Sequence, residues 1–116
     1  MDNRIPRAKL QLLMESGNIG RDRCLEIMGA ADEAITESNN GGEIAHLGAA
    51  MARCCGADED EKAFYRCAVD VILLEKWGAP EEDRAALIGF MNITGQIACD
   101  ILSACDTLRL FSKICG

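Results

Sequence analysis

The sequence predicts an all-α protein, a compact bundle of about five or six helices. Helix-favouring residues such as alanine, leucine, methionine and glutamate dominate the composition. Apolar residues recur at spacings of three and four along most of the chain, as on the buried face of an amphipathic helix. No run alternates apolar and polar residues as a half-buried strand would. The 116 residues are 49% hydrophobic with only two prolines, so we expect one domain, residues 1–116, with its own core.

The first two helices are expected at residues 5–16 and 19–37. Pro6 suits an N-terminal turn, and Gly17 suits the end of a helix. The second helix has one charged face, which is typical of a solvated helix surface. That face carries Arg23, Glu26, Glu33 and Glu37. The two apolar stripes consist of Leu10, Leu13 and Met14 in the first helix and Cys24, Leu25, Met28, Ala31 and Ile35 in the second.

The third helix, expected at about 43–55 after a glycine-rich loop at 39–42, contains the only histidine of the chain. Spacings of four and three residues place His46, Ala50 and Arg53 on one face. An imidazole at the start of such a helix is suited to chemistry near neutral pH. Small residues make this helix slim, so other helices can approach it closely. The neighbouring positions expected to face the core are Leu47 and Met51.

Four consecutive acidic residues, Asp58 to Glu61, follow the third helix. They could suggest a metal loop, but no calcium-loop pattern is present. We interpret them as the negative first turn of a fourth helix, where carboxylates complement the helix dipole. This helix is expected to end at Trp77, before Gly78-Ala79-Pro80. Its inward residues are predicted to be Phe64, Cys67, Ala68, Val71 and Ile72.

The last helical segment is expected at about 81–114, again with an acidic first turn after a proline. One uninterrupted helix of that length would be about 50 Å long. We therefore predict a break, near Gly95 or at Asp106-Thr107. Apolar residues at helical spacing along the segment are Leu87, Phe90, Ile97, Ile101, Leu108 and Phe111.

Charge and hydropathy exclude some classes of partner. The formal net charge of −7 argues against direct nucleic-acid binding, which needs a basic surface, and against docking on anionic membranes. The longest strongly apolar run, residues 71–74, is too short to cross a bilayer. Residues 1–7 lack the apolar core of a signal peptide. We expect a cytoplasmic protein.

Seven cysteines are present, and no pair has the C-x-x-C spacing of a zinc or redox site. Most fall at positions where a helix would point inward, so we interpret them as reduced core residues. The alternative is a metal or redox site in the bundle, formed by His46 with Cys54 or Cys55 and a residue of another helix. We expect no cofactor and no metal.

The run His46-Leu47-Gly48-Ala49-Ala50-Met51-Ala52-Arg53 resembles the signature of the PTS regulation domain. That family carries a histidine-leucine pair, an alanine one turn later and an arginine two turns later. The order of predicted elements also agrees, so the resemblance spans nearly the whole chain. It implies a helical, often dimeric module, not an enzyme, that takes part in transcription regulation.

The resemblance implies that His46 accepts a phosphoryl group from the histidine phosphocarrier protein or a sugar-permease component, with Arg53 as a nearby cation. Members of the family often have a second histidine in the later half. Asn92 stands at the comparable position here. An amide can hydrogen-bond a phosphate but cannot accept one covalently, so Asn92 is predicted to support the phosphate. The family also leads us to expect a homodimer acting through protein contacts, and the remaining alternative is a purely structural interaction protein.

Overall fold

A computed structural model of the protein describes the backbone of residues 4–39 and 45–115. Within these ranges the chain forms five α-helices and no strand. The all-α prediction is thereby confirmed. The predicted glycine-rich loop and the predicted start of the third helix at residue 43 lie largely outside the described residues. The helices are α1 (Arg4–Glu15), α2 (Arg21–Asn39), α3 (Ala45–Cys55), α4 (Glu59–Trp77) and α5 (Glu81–Cys115).

Both ends of α4 follow from its sequence. Asp58 precedes the helix in an extended conformation, and its Oδ1 accepts the backbone N–H of Glu61 at 3.1 Å. The acidic run is therefore an N-cap and a first helical turn, as predicted. At the other end Gly78 adopts a left-handed conformation with φ of 65° and donates its N–H to the Leu74 carbonyl at 3.0 Å. Glycine enters that conformation without a Cβ clash, and so it ends the helix.

The core lies between α4 and the helices packed around it. Phe64, Tyr65 and Val69 of α4 are fully buried, together with Ile27 of α2. The predicted inward position of Leu25 is wrong: its side chain is 54% exposed. The buried face of α2 is rotated relative to the predicted one, and Ile27 is fully buried. The other large side chains that are almost fully buried are Leu10, Leu47, Met51 and Met91.

α5 is continuous over 35 residues, about 52 Å at 1.5 Å per residue. The predicted break, at Gly95 or at 106–107, is wrong. The segment contains no proline, and Gly95 keeps its helical conformation because it packs against α3 instead of facing solvent. This single helix accounts for most of the molecule's longest dimension of 58 Å. The side chains of Leu108 and Phe111 lie outside the described part of the structure.

α3 crosses α5 at a pair of glycines. A Cβ added to Gly48 would lie 2.6 Å from the backbone nitrogen of Gly95 and closer still to the Thr94 hydroxyl. A Cβ added to Gly95 would lie 2.6 Å from the end of the Met51 side chain. The two backbones thus approach more closely than any larger residue would allow. The small residues of the third helix, which were expected to let other helices approach closely, permit this crossing.

None of the helices in the described ranges combines the length and apolarity needed to cross a membrane. The molecule is about 19 Å thick along its shortest axis, which corresponds to two layers of helices.

Candidate functional site

The candidate site is built on α3, whose faces divide as the sequence predicted. Leu47 and Met51 are each 2% exposed and belong to the core. Their burial turns the adjacent face outward, so the side chains of His46 and Arg53 are both exposed. Within the described residues, the His46 imidazole makes no hydrogen bond and no ion pair.

A groove of about 390 Å³, which we call the α2–α3 groove, runs beside this face. Arg53 is the one cation among the described side chains that line it, and it lies about 10 Å from His46 along the helix axis. Two carboxylates, Glu33 and Glu37, line the α2 side. An anion in this groove would be attracted by Arg53 and repelled by these carboxylates. His46 is not among the described residues that line the groove. The other lining residues are Ala30, Ala34, Ala50 and Cys54.

The end of α3 is fixed by Arg23, a residue that the sequence placed on a solvated face. Its guanidinium is only about one-third exposed, and Nε donates to Oε1 of Glu61 at 2.9 Å. Nη2 donates to the same carboxylate and to the carbonyl of Cys54, and Nη1 donates to Glu26 at 3.1 Å. The hydrogen bonds to Glu61, the largest cause, raise the pKa of Arg23. One side chain thus ties α2, the last turn of α3 and the first turn of α4 together, next to Arg53.

Asn92 lies in a different part of the molecule. It is exposed on α5 and accepts a hydrogen bond from Nη1 of Arg66 at 3.3 Å. It lines a hollow of about 560 Å³ between α1, α4 and α5, together with Lys9 and Asp70. Within the described residues, neither His46 nor Arg53 lines this hollow. The structure therefore brings Arg53 onto the histidine face and places Asn92 beside Arg66 instead.

The same hollow contains a partly buried ion pair. Arg84 is only 5% exposed, and its Nη1 donates to Oδ1 of Asp70. Its Nε donates to the carbonyl of Ala79 at 3.0 Å. The pair joins the start of α5 to α4, and its charges are matched, so it has the character of a structural contact.

Only two of the described cysteines, Cys24 and Cys55, are buried, and the other three are partly exposed, so the predicted core placement holds for the minority. Among the described residues Cys24, Cys54, Cys55, Cys67 and Cys99 are all free thiols. Burial, together with the adjacent Cys54, raises the pKa of Cys55 to about 12. Such a thiol is almost wholly protonated at neutral pH and is a poor nucleophile or metal ligand. No cluster of three or more His, Cys, Asp or Glu side chains with metal-site geometry occurs in the described part of the chain.

No protein-family model, curated protein or solved structure matches this chain. The functional hypothesis therefore depends on the residues themselves. Sequence reasoning located the exposed histidine face but missed Arg23 and Arg84. The sequence did not indicate either role, because an arginine that bridges helices differs from a solvated arginine only in the partners that other helices bring to it.

Proposed function

We propose that this chain is a phosphorylation-responsive regulatory module of the sugar phosphotransferase system. His46 accepts the phosphoryl group, and the module acts on transcription through contacts with other proteins, without enzymatic activity of its own. One observation carries the proposal: the only histidine of the chain is exposed, has no partner within the described residues and shares a helical face with an exposed arginine. The motif of residues 46–53 supports the assignment.

The proposed chemistry is a transfer between two side chains. A neutral imidazole nitrogen of His46 attacks the phosphorus of a phosphohistidine or phosphocysteine on the donor protein. A nitrogen–phosphorus bond forms on His46, and the donor's bond to phosphorus breaks. The proton lost from the attacking imidazole balances the one taken up by the released donor side chain. The histidine phosphocarrier protein or a sugar-permease component is the proposed donor.

Arg53 is the proposed supporting cation. Phosphorylation adds a charge of about −1.5 to −2, by analogy with other phosphorylated side chains. A guanidinium reaching back along the helix can offset part of that charge. Because Glu33 and Glu37 line the same groove as Arg53, these carboxylates oppose part of the attraction that Arg53 exerts on an anion. The supporting role of Asn92 stays a prediction, since its observed partner is Arg66.

A phosphotransfer assay tests the proposal. The full chain is incubated with phosphoenolpyruvate, the general phosphotransferase enzyme, the histidine phosphocarrier protein and candidate permease components. We expect one acid-labile phosphate on His46, located by mass spectrometry and absent from His46→Ala. Because the chain has one histidine, a second labelled position would have to be a different residue type, such as cysteine.

The contribution of Arg53 is tested with a matched pair of variants. Arg53→Gln and Arg21→Gln each remove one exposed positive charge, but only the first removes it from the histidine face. We expect Arg53→Gln to slow phosphorylation and Arg21→Gln to leave it unchanged. Absence of label with every donor would contradict the proposed function and favour a purely structural interaction protein.

A further inference from the structure

The hollow between α1, α4 and α5 has no part in the proposed function, and its charges are balanced. Among the described side chains that line it, Lys9 and Arg84 are cationic, and Asp70 and Glu81 are anionic. Their formal charges therefore cancel, although the whole chain carries a net charge of −7. The volume of about 560 Å³ lies within the range of small-molecule sites.

Two of these four charges have no partner in the protein. Arg84 and Asp70 pair with each other. Within the described residues, the side chains of Lys9 and Glu81 make no ion pair and no hydrogen bond, and they do not pair with each other. A ligand that carries one negative and one positive group could satisfy both of them.

The Arg84–Asp70 pair also has unused hydrogen-bonding capacity. A guanidinium has five N–H groups, and in Arg84 only Nε and Nη1 have partners, which are the Ala79 carbonyl and Asp70. Nη2 of Arg84 and Oδ2 of Asp70 make no hydrogen bond within the part of the chain that the structure describes. Because Arg84 is only 5% exposed, its position is fixed by packing. The pair thus offers a held cationic donor and an anionic acceptor to a ligand in the hollow.

The rest of the hollow is largely apolar and open. Ile5 and Pro6 of α1 and Ile88 of α5 line it. Gly89 lines it as well, and a Cβ added there would meet nothing within 4 Å. The absence of a side chain at this position leaves room for the apolar part of a ligand.

We propose that this hollow binds a small zwitterion with an apolar body, either a free amino acid or a short peptide with free ends. Its carboxylate contacts Lys9 and the spare N–H groups of Arg84. Its ammonium group contacts Glu81 and the free oxygen of Asp70. Its apolar body lies against Ile88.

The balance of charges favours a zwitterion over other small ligands. A simple anion would be repelled by the two carboxylates, and a simple cation by the two cations, whereas a zwitterion can place each of its charges beside opposite ones. The inference goes beyond the proposed function, because neither His46 nor Arg53 is among the described residues that line the hollow.

Isothermal titration calorimetry of the full chain tests the proposal with L-leucine and with the dipeptide leucyl-leucine. We expect at least one of them to bind with a Kd below about 1 mM, and the comparison shows whether the amino acid or the peptide fits better. N-acetylation removes the positive charge of a probe, and C-terminal amidation removes its negative charge. Each capped form should bind at least about 5-fold more weakly than the parent zwitterion.

Matched variants locate the binding. Glu81→Gln should weaken binding of the zwitterion at least about 5-fold and remove the preference over its N-acetyl form. Glu82→Gln is the control, since it removes the same charge from the adjacent position, which does not line the hollow. Lys9→Gln should likewise remove the preference over the amidated form.

A larger side chain at Gly89 tests the place of the apolar body. Gly89→Leu should abolish binding, whereas Gly29→Leu on α2 should not, and in both cases the new Cβ meets nothing within 4 Å. Circular dichroism checks that both variants fold. No binding of either zwitterion at about 10 mM, equal affinity for the capped forms, or binding insensitive to Gly89→Leu would each overturn the proposal. His46→Ala should bind normally, so failure of the phosphotransfer proposal leaves this test unaffected.

Discussion

The close crossing of α3 and α5 predicts opposite effects for the same substitution at different glycines. In Gly48→Ala the new Cβ would lie 2.6 Å from the backbone nitrogen of Gly95, whereas ordinary contacts begin near 3.4 Å. A backbone atom cannot rotate away, so the two helices must separate by about 1 Å. In Gly29→Ala on α2, the new Cβ meets nothing within 4 Å. Only the first change therefore disturbs packing.

The magnitude follows from comparing the two variants. Each replaces a helical glycine by alanine, and each gains about 1 kcal/mol of helix propensity. That gain cancels in the difference between them. What remains is the cost of overpacking at the crossing, about 1–3 kcal/mol, and we expect the upper end because both Leu47 and Met51 beside Gly48 are buried. Gly48→Ala should thus be less stable than Gly29→Ala by about 3 kcal/mol.

Urea unfolding followed by circular dichroism, at one fixed protein concentration, measures this difference. Gly89→Ala on α5 provides a second control, since its Cβ also meets nothing within 4 Å. Gly95→Ala should fall in between, because its nearest neighbour is the flexible end of Met51. If Gly48→Ala were as stable as Gly29→Ala, the close approach of the two backbones would be refuted.

Three further predictions concern single side chains. The Tyr65 hydroxyl is buried without a hydrogen-bond partner within the described residues. Tyr65→Phe should therefore keep the free energy of unfolding or raise it by up to about 1 kcal/mol. A loss of about 2 kcal/mol or more in urea titrations would show that the hydroxyl does make a stabilising hydrogen bond. The raised pKa of Cys55, about 12, predicts that iodoacetamide at pH 8 labels it only after unfolding, and rapid labelling of the native protein, mapped by mass spectrometry, would contradict this. Arg7 donates to Glu75, with Nε to Oε2 at 3.0 Å, and lowers the pKa of that carboxyl from its ordinary 4.5. A lowered folded-state pKa gives stability that is present above about pH 4.5 and is lost as the pH falls through the folded-state value. The free energy of unfolding of Glu75→Gln should therefore fall less steeply with decreasing pH than that of the unsubstituted protein. The same steepness in both proteins below about pH 4.5 would argue against the ion pair.

The sequence by itself determined the helices and the place of the histidine. Apolar spacing and residue type predicted the all-α class, because the 3.6-residue period of a helix is visible in the local sequence and does not depend on which elements pack against it. The acidic run at 58–61 and Gly78 marked the ends of α4 through local hydrogen bonds and backbone freedom. The exposure of His46 followed from the same periodicity, since Leu47 and Met51 beside it had to be buried.

Only the tertiary structure decided which contacts the helices make. The sequence could not reveal that Gly95 lies in a helix crossing, and so a break was predicted where α5 in fact continues. It could not distinguish the bridging Arg23 from solvated charges, because the distinction depends on Glu61 from another helix. Nor could it show that Phe90 and Ile97 remain exposed. Helical spacing specifies that a face is apolar, but packing between helices specifies what, if anything, covers it.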